Sequence, residues 1–227
     1  APVVEGKKER TLNSSTSGTG TITLYKDTTY FLNGFVFVNS GQTLTIQAGT
    51  VIKGKAGQGA NASALIVARG GKINAIGTEA DPIVFTFEND PLDGSIPVTT
   101  RGQWGGLIIL GSATLNSTPG TTQIEGIPTS ESRGQYGGTN DADNSGTLKY
   151  ISIRHGGTDI GAGNEINGLT LGGVGSATTI DYVEVIANAD DGIEFFGGAA
   201  RVKHALVAFC GDDSYDYDEG FRGFGQF

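Results

Sequence analysis

The chain predicts an all-β fold of the solenoid class, and three observations carry that expectation. Glycine supplies 38 of 227 residues while only 17% are charged, a profile of many short strands joined by tight turns. No window sustains apolar residues at i, i+3, i+4 and i+7, and glycines interrupt nearly every stretch long enough for a helix. Finally, a costly pair of adjacent carboxylates returns at a fixed step: Asp190-Asp191 recurs as Asp212-Asp213, 22 residues on. A period near 20 with several strands per repeat is what a β-solenoid produces, because equivalent positions then stack from coil to coil.

The elements follow in order. "TLTIQAGTVIKG" (43–54), "ALIVARGGKINAIG" (64–77), "PIVFTF" (82–87) and "GLIILGSATL" (106–115) are apolar bursts of strand length, most ending at Gly or Asn/Asp. Three later bursts align with one another: "TLKYISI" (147–153), "TIDYVEV" (179–185) and "RVKHALV" (201–207). Their apolar positions stack as Leu148, Ile180 and Val202, then Ile151, Val183 and Ala205, then Ile153, Val185 and Val207. The second and third copies share the step of 22, while the first and second lie 32 apart and imply an insertion near 156–167. Two larger flank insertions are expected at 88–103 and 116–146, which carry most of the prolines; the second is too long for an idle connector. The domain reading is a tail or linker over 1–20 and one solenoid over 21–227. Because "GFRGFGQF" stops on a strand-like residue with no polar cap, the parent protein is expected to continue past it.

Several stretches in order resemble a known family: "YFLNGFVFVNSGQTLTIQAGTVIKG" (30–54), "DPIVFT" (81–86), "WGGLIILG" (104–111), "DNSGTLKYISIRHGG" (143–157), "NEINGLTLGGVGSATTIDYVEV" (164–185), "DDGIEFFGG" (190–198) and the final "GQF". They look like the secreted or cell-surface parallel β-helix proteins of Bacteroidota type, which often carry a C-terminal secretion-sorting domain and mostly have no assigned activity. The resemblance covers roughly residues 20–227. It implies a right-handed parallel β-helix, all-β, at roughly 22 residues per coil with flank insertions, and an extracellular or outer-surface location. It implies no reaction.

Composition narrows the partners. A formal net charge of −9 and a pI near 4.6 argue against nucleic acid or an anionic membrane surface, since both demand a cationic face. Cations are the expected partners. No apolar run approaches the roughly 18 residues of a membrane span. The chain begins at Ala1 and holds no methionine, and is expected to be a processed or truncated chain whose signal peptide is gone. The single Cys210 forms no internal disulfide and reads as a small core residue.

The acidic repeat is the first candidate site. In coils about 4.8 Å apart, Asp190 lies over Asp212 and Asp191 over Asp213, and such stacked carboxylates repel unless a cation binds or their pKa values shift. Hard oxygen ligands favour Ca²⁺. The competing reading makes these aspartates Asx turns bonded to the backbone of neighbouring coils. A second candidate is "DADNSG" (141–146): Asp141, Asp143 and Ser145 alternate and Gly146 falls sixth, like the opening half of a calcium loop, although position twelve is Ser152 and not glutamate.

The preferred function is a non-catalytic extracellular module, stabilised by Ca²⁺, for surface or matrix structure or for glycan or protein contact. One alternative is a polysaccharide lyase or glycoside hydrolase, pectate-lyase-like or polygalacturonase-like, with Asp190, Asp191, Asp212 and Asp213 as its acidic centre. "NADDGIE" (188–194) and "RVK" (201–203) imitate polygalacturonase motifs, but Gly-His-Gly is missing; Arg154, Arg201 and Arg222 are the candidate lyase bases. Another alternative is a subunit that assembles end to end with copies of itself through its uncapped strands. Trp104 and Phe195 are expected in the core.

Overall fold

The computed structural model describes residues 7–161 and 164–227. Its strands pair in parallel from coil to coil and form three stacks around a common core. The first stack runs Ile22–Leu24, Thr43–Ile46, Lys72–Ile76 and then the leading halves of Gly146–Arg154, Thr179–Ile186 and Arg201–Ala208, closing on Phe224–Gln226. The second runs Lys8–Asn13, Thr28–Asn33, Val51–Gly54, Ile83–Phe87 and the trailing halves of the same three long strands. The third is a six-stranded sheet: Phe35–Val38, Ala64–Val67, Leu107–Leu110, Leu169–Gly172, Ile193–Phe196 and Tyr215–Asp218. Lys8–Asn13, within the stretch read from sequence as a tail, is thus a paired strand. The step of 22 is the register: Ile180 pairs Val202, Val183 pairs Ala205 and Val185 pairs Val207, as the aligned bursts predict.

The bends between stacks recur at equivalent positions. Tyr150, Tyr182 and His204 sit at φ of 52°, 53° and 47°, each dividing a long strand into its two halves. Tyr182 and His204 are exposed and Tyr150 is half-buried, and the three rings cover one another by stacking. Tyr150 lies on Tyr182 at 4.5 Å between ring centroids, and Tyr182 on His204 at 4.3 Å, both pairs with nearly parallel ring planes.

Side chains alternate in and out, and the inward columns form the core. Leu65, Leu107, Leu169 and Ile193 stack in one column, and Val67, Ile109, Leu171 and Phe195 in the next. Trp104 and Phe195 are fully buried, as expected from sequence. The indole of Trp104 packs so closely on Gly54 that a Cβ there would meet ring and stem atoms at 2.6–2.9 Å, and its Nε1 donates to the Arg154 carbonyl at 2.7 Å.

Both large insertions pack on the solenoid. The segment after Ile83–Phe87 returns along the turns of later coils, where Gly102 and Gln103 donate to the carbonyls of Gly156 and His155. The longer one, after Leu107–Leu110, carries an antiparallel pair, Thr121–Gln123 with Gln135–Gly137. It lays Ile124, Ile127 and Tyr136 over the outer face of the third sheet, on Ile66, Ile108, Leu110 and Phe196, making a second apolar core outside the coil. The insertion near 156–167 includes the antiparallel strands Asp159–Gly161 and Asn164–Glu165.

Candidate functional site

The third sheet's outer face changes chemistry along the stack. One outward column runs Phe37, Ile66, Ile108, Thr170, Glu194 and Asp216, strand by strand in register. The next runs Leu110, Gly172, Phe196 and Asp218. Apolar residues lie beneath the long insertion, and carboxylates take over toward its border, where Glu125 of the insertion faces Asp191 and Asp218.

Just before these strands, the turn positions stack as well. Gly168 donates to the Asp191 carbonyl and Gly192 to the Asp213 carbonyl, so Asn167, Asp191 and Asp213 form one column. Ile166, Asp190 and Asp212 precede them by one residue each. The two aspartates of the first pair therefore differ. Asp191 is 8% exposed, and its Oδ1 accepts from the Asp213 amide at 2.8 Å, an Asx-type bond reaching across to the next coil. Asp190 is half-buried, whereas Asp212 and Asp213 are exposed.

Two carboxylate triads result. Asp190, Asp191 and Asp212 bring one oxygen each to within 4.8 Å of one another, and so do Asp191, Glu194 and Asp216. Asp191 belongs to both. Asp213 belongs to neither and is exposed.

The electrostatics are one-sided. Burial pushes Asp190 up to about 6, helped by Glu165, Glu125 and Asp212; burial likewise pushes Asp191 up to about 6, opposed by the Asp213 amide and helped by Asp190, Asp216 and Asp212. Glu194, 6% exposed, is pushed to about 8, first by burial and then by Asp191, Asp216 and Glu125. The charged groups that raise these three are carboxylates in each case. The phenol of Tyr136 is also driven well above its ordinary value, by burial and then by Glu219, Glu194, Asp218 and Glu125.

The second sequence candidate lies elsewhere. Asp141 accepts from the Thr114 amide at 2.9 Å and pairs with Arg222 at 2.7 Å. Asp143 accepts from the hydroxyls of Ser112 and Ser145 at 2.7 and 3.2 Å. The structure brings Asp141, Asp143 and Ser145 into a turn that pins the insertion's end to neighbouring coils, and not into either triad.

The candidate bases are also committed to protein partners. Arg154 donates to Ser152 Oγ at 2.7 Å beside Glu184, Arg222 holds Asp141, and the Arg201 guanidinium lies 5.4 Å from the Phe224 ring centroid. His155 is buried, its Nδ1 2.7 Å from the Thr100 carbonyl, with its ring edge-on to Phe87.

Glu194, Asp216 and Asn167 were not among the sequence-predicted site residues, yet a signal for them exists. "INGLTL" (166–171), "DDGIEF" (190–195) and "DDSYDY" (212–217) align residue by residue, placing Asn167 over Asp191 and Thr170 over Glu194 over Asp216. The doublet of aspartates drew attention; the alternation that follows it tells which further side chains leave on the same face.

A family model described as a pectate-lyase-like β-helix domain matches residues 15–227, while no curated protein and no solved structure matches the chain. The match spans nearly the whole sequence and agrees with the three parallel stacks, and on that ground the chain belongs to the pectate-lyase-like β-helix family.

Proposed function

We propose that the protein is a non-catalytic extracellular β-helix module whose carboxylate cluster takes a divalent cation of the calcium class, bracing its coils for glycan or protein contact at a cell surface or matrix. The observation that carries this reading is the pair of triads sharing Asp191, in which each carboxylate is surrounded by others of its own sign. Converging oxygens with no ion pair to a basic side chain among the described residues favour Ca²⁺, which accepts carboxylates in loose geometry at about 2.3–2.6 Å. A β-eliminating lyase needs a base at the acidic centre, and the arginines considered for that role are engaged at other places in the fold.

Family membership favours a second reading, polysaccharide cleavage. An inverting pair needs about 6.5–9.5 Å between carboxyl groups to admit a water, whereas oxygens that lie within 4.8 Å of one another in each triad come nearer the roughly 5 Å of a retaining pair. The experiment is thermal unfolding in EDTA against millimolar CaCl₂. Saturation to 100 times Kd adds about 2.7 kcal/mol, or roughly 5–10 °C in Tm for a domain of this size. Equal melting in both conditions overturns the cation reading and makes release of unsaturated or reducing sugar from a polysaccharide panel the deciding assay.

A further inference from the structure

The buried amide of Asn167 is the feature that the acidic repeat does not account for. Asn167 is 3% exposed and its Nδ2 donates to Glu194 Oε2. Its Oδ1, buried on the same amide head, has no hydrogen-bond partner. Leaving a buried carbonyl oxygen without a donor is costly, so such an atom is expected to hold a water or an ion. The head that carries it rests on Glu194, which in turn lies within ligand distance of Asp191 and Asp216.

We propose that Asn167 Oδ1 and the carboxylates of Asp191, Glu194 and Asp216 form the position of the cation, on the inner side of the cluster, and that Asp190 and Asp212 line only its solvent side. This rests on the cation reading above and names the ligands within it. The spacing suits the ion. Oxygens held at about 2.3–2.6 Å from one centre lie up to about 5 Å apart across it, and the triad's oxygens fall inside that span. An uncharged carbonyl also supplies coordination without adding to the repulsion among three carboxylates. The ligands come from three successive coils, Asn167 from the first, Asp191 and Glu194 from the second and Asp216 from the third, so the ion would cross-link the stack.

The test is calorimetric titration of CaCl₂ into the intact chain and four variants, each first checked by melting in EDTA. Glu194→Gln and Asn167→Ala are expected to weaken binding about tenfold or more, and Asp212→Asn by only a few-fold. Asn167→Asp removes the amide donor but keeps an oxygen at the ligand position, and is expected to retain binding. Binding that survives Glu194→Gln and Asn167→Ala but is lost in Asp212→Asn overturns the inner position while leaving the cation reading intact. Loss in Asn167→Asp as severe as in Asn167→Ala overturns the ligand role of Asn167, leaving it a hydrogen-bond donor to Glu194. Absence of calcium binding to the unaltered chain overturns both.

Discussion

At the scale of single residues, the consequence of the cluster is a pH dependence opposite to that of most paired carboxylates. Asp190, Asp191 and Glu194 have folded values of about 6, about 6 and about 8, above ordinary values of 3.8, 3.8 and 4.5. Between about pH 4 and pH 8 the folded state therefore holds protons that the unfolded state has released, and stability falls as pH rises through that window. In EDTA the protein is expected to melt higher at pH 5 than at pH 8, and Glu194→Gln is expected to flatten the upper half of the profile. A melting temperature that rises from pH 5 to 8 in EDTA would refute this account. On the proposed cation reading calcium would compete with those protons, so its stabilisation is expected to grow with pH. The aspartate doublet was legible in the sequence, but which member turns inward was not. Adjacent residues leave a strand on opposite faces only while the backbone stays extended, and Asp190-Asp191 sits in a turn whose direction depends on the coils above and below.

At the scale of elements, the long insertion shows what the sequence carried and what it concealed. Its existence followed from length and proline content; its seat did not. Ile124, Ile127 and Tyr136 are scattered among polar residues with no period to reveal a packed face. The partner surface did leave a trace. "ALIV" (64–67) and "LIIL" (107–110) are unbroken apolar runs buried on both faces, while later strands such as Thr179–Ile186 alternate and leave one face to solvent. Continuous apolar runs therefore mark the strands of the third sheet that the insertion covers. Gly172 lies beneath it: a Cβ there would meet Leu110, Tyr136 and Ile124 side chains at 3.0–3.1 Å. Gly172→Val is expected to lift the hairpin from the sheet at a cost of about 1–3 kcal/mol. Limited proteolysis reads the outcome, since cleavage within 116–140 should accelerate while the far-UV CD spectrum keeps its β signature. Unchanged cleavage would mean that the second core tolerates the added methyl groups.

At the scale of the whole molecule, a solenoid is held together by contacts between neighbouring coils, so its stability is local and need not be uniform along the axis. Strands in the middle of the stack, such as Leu107–Leu110 and Leu169–Gly172, are buried throughout, whereas Arg201–Ala208 and Tyr215–Asp218 are largely exposed. Tyr217 continues the core column of Phe195, stacked 5.0 Å from it, yet is 52% exposed. The inward columns and their step of 22 were legible because a stacked core repeats the same residue types at the same spacing. The uneven burial was not, because "YDYD" alternates as cleanly as any covered strand. Asp191 and Glu194 are buried while Asp216 stands on a largely exposed strand, and a cation on the three would tie Tyr215–Asp218 to the coil before it. Hydrogen exchange tests this for the 227-residue chain. In EDTA, amides of 215–218 are expected to exchange faster than those of 169–172; calcium should slow 193–196 and 215–218 while leaving 64–67 unchanged. Protection spread evenly over all coils would instead mean that the ion stabilises the fold globally, and no protection at 215–218 would remove Asp216 from its ligands.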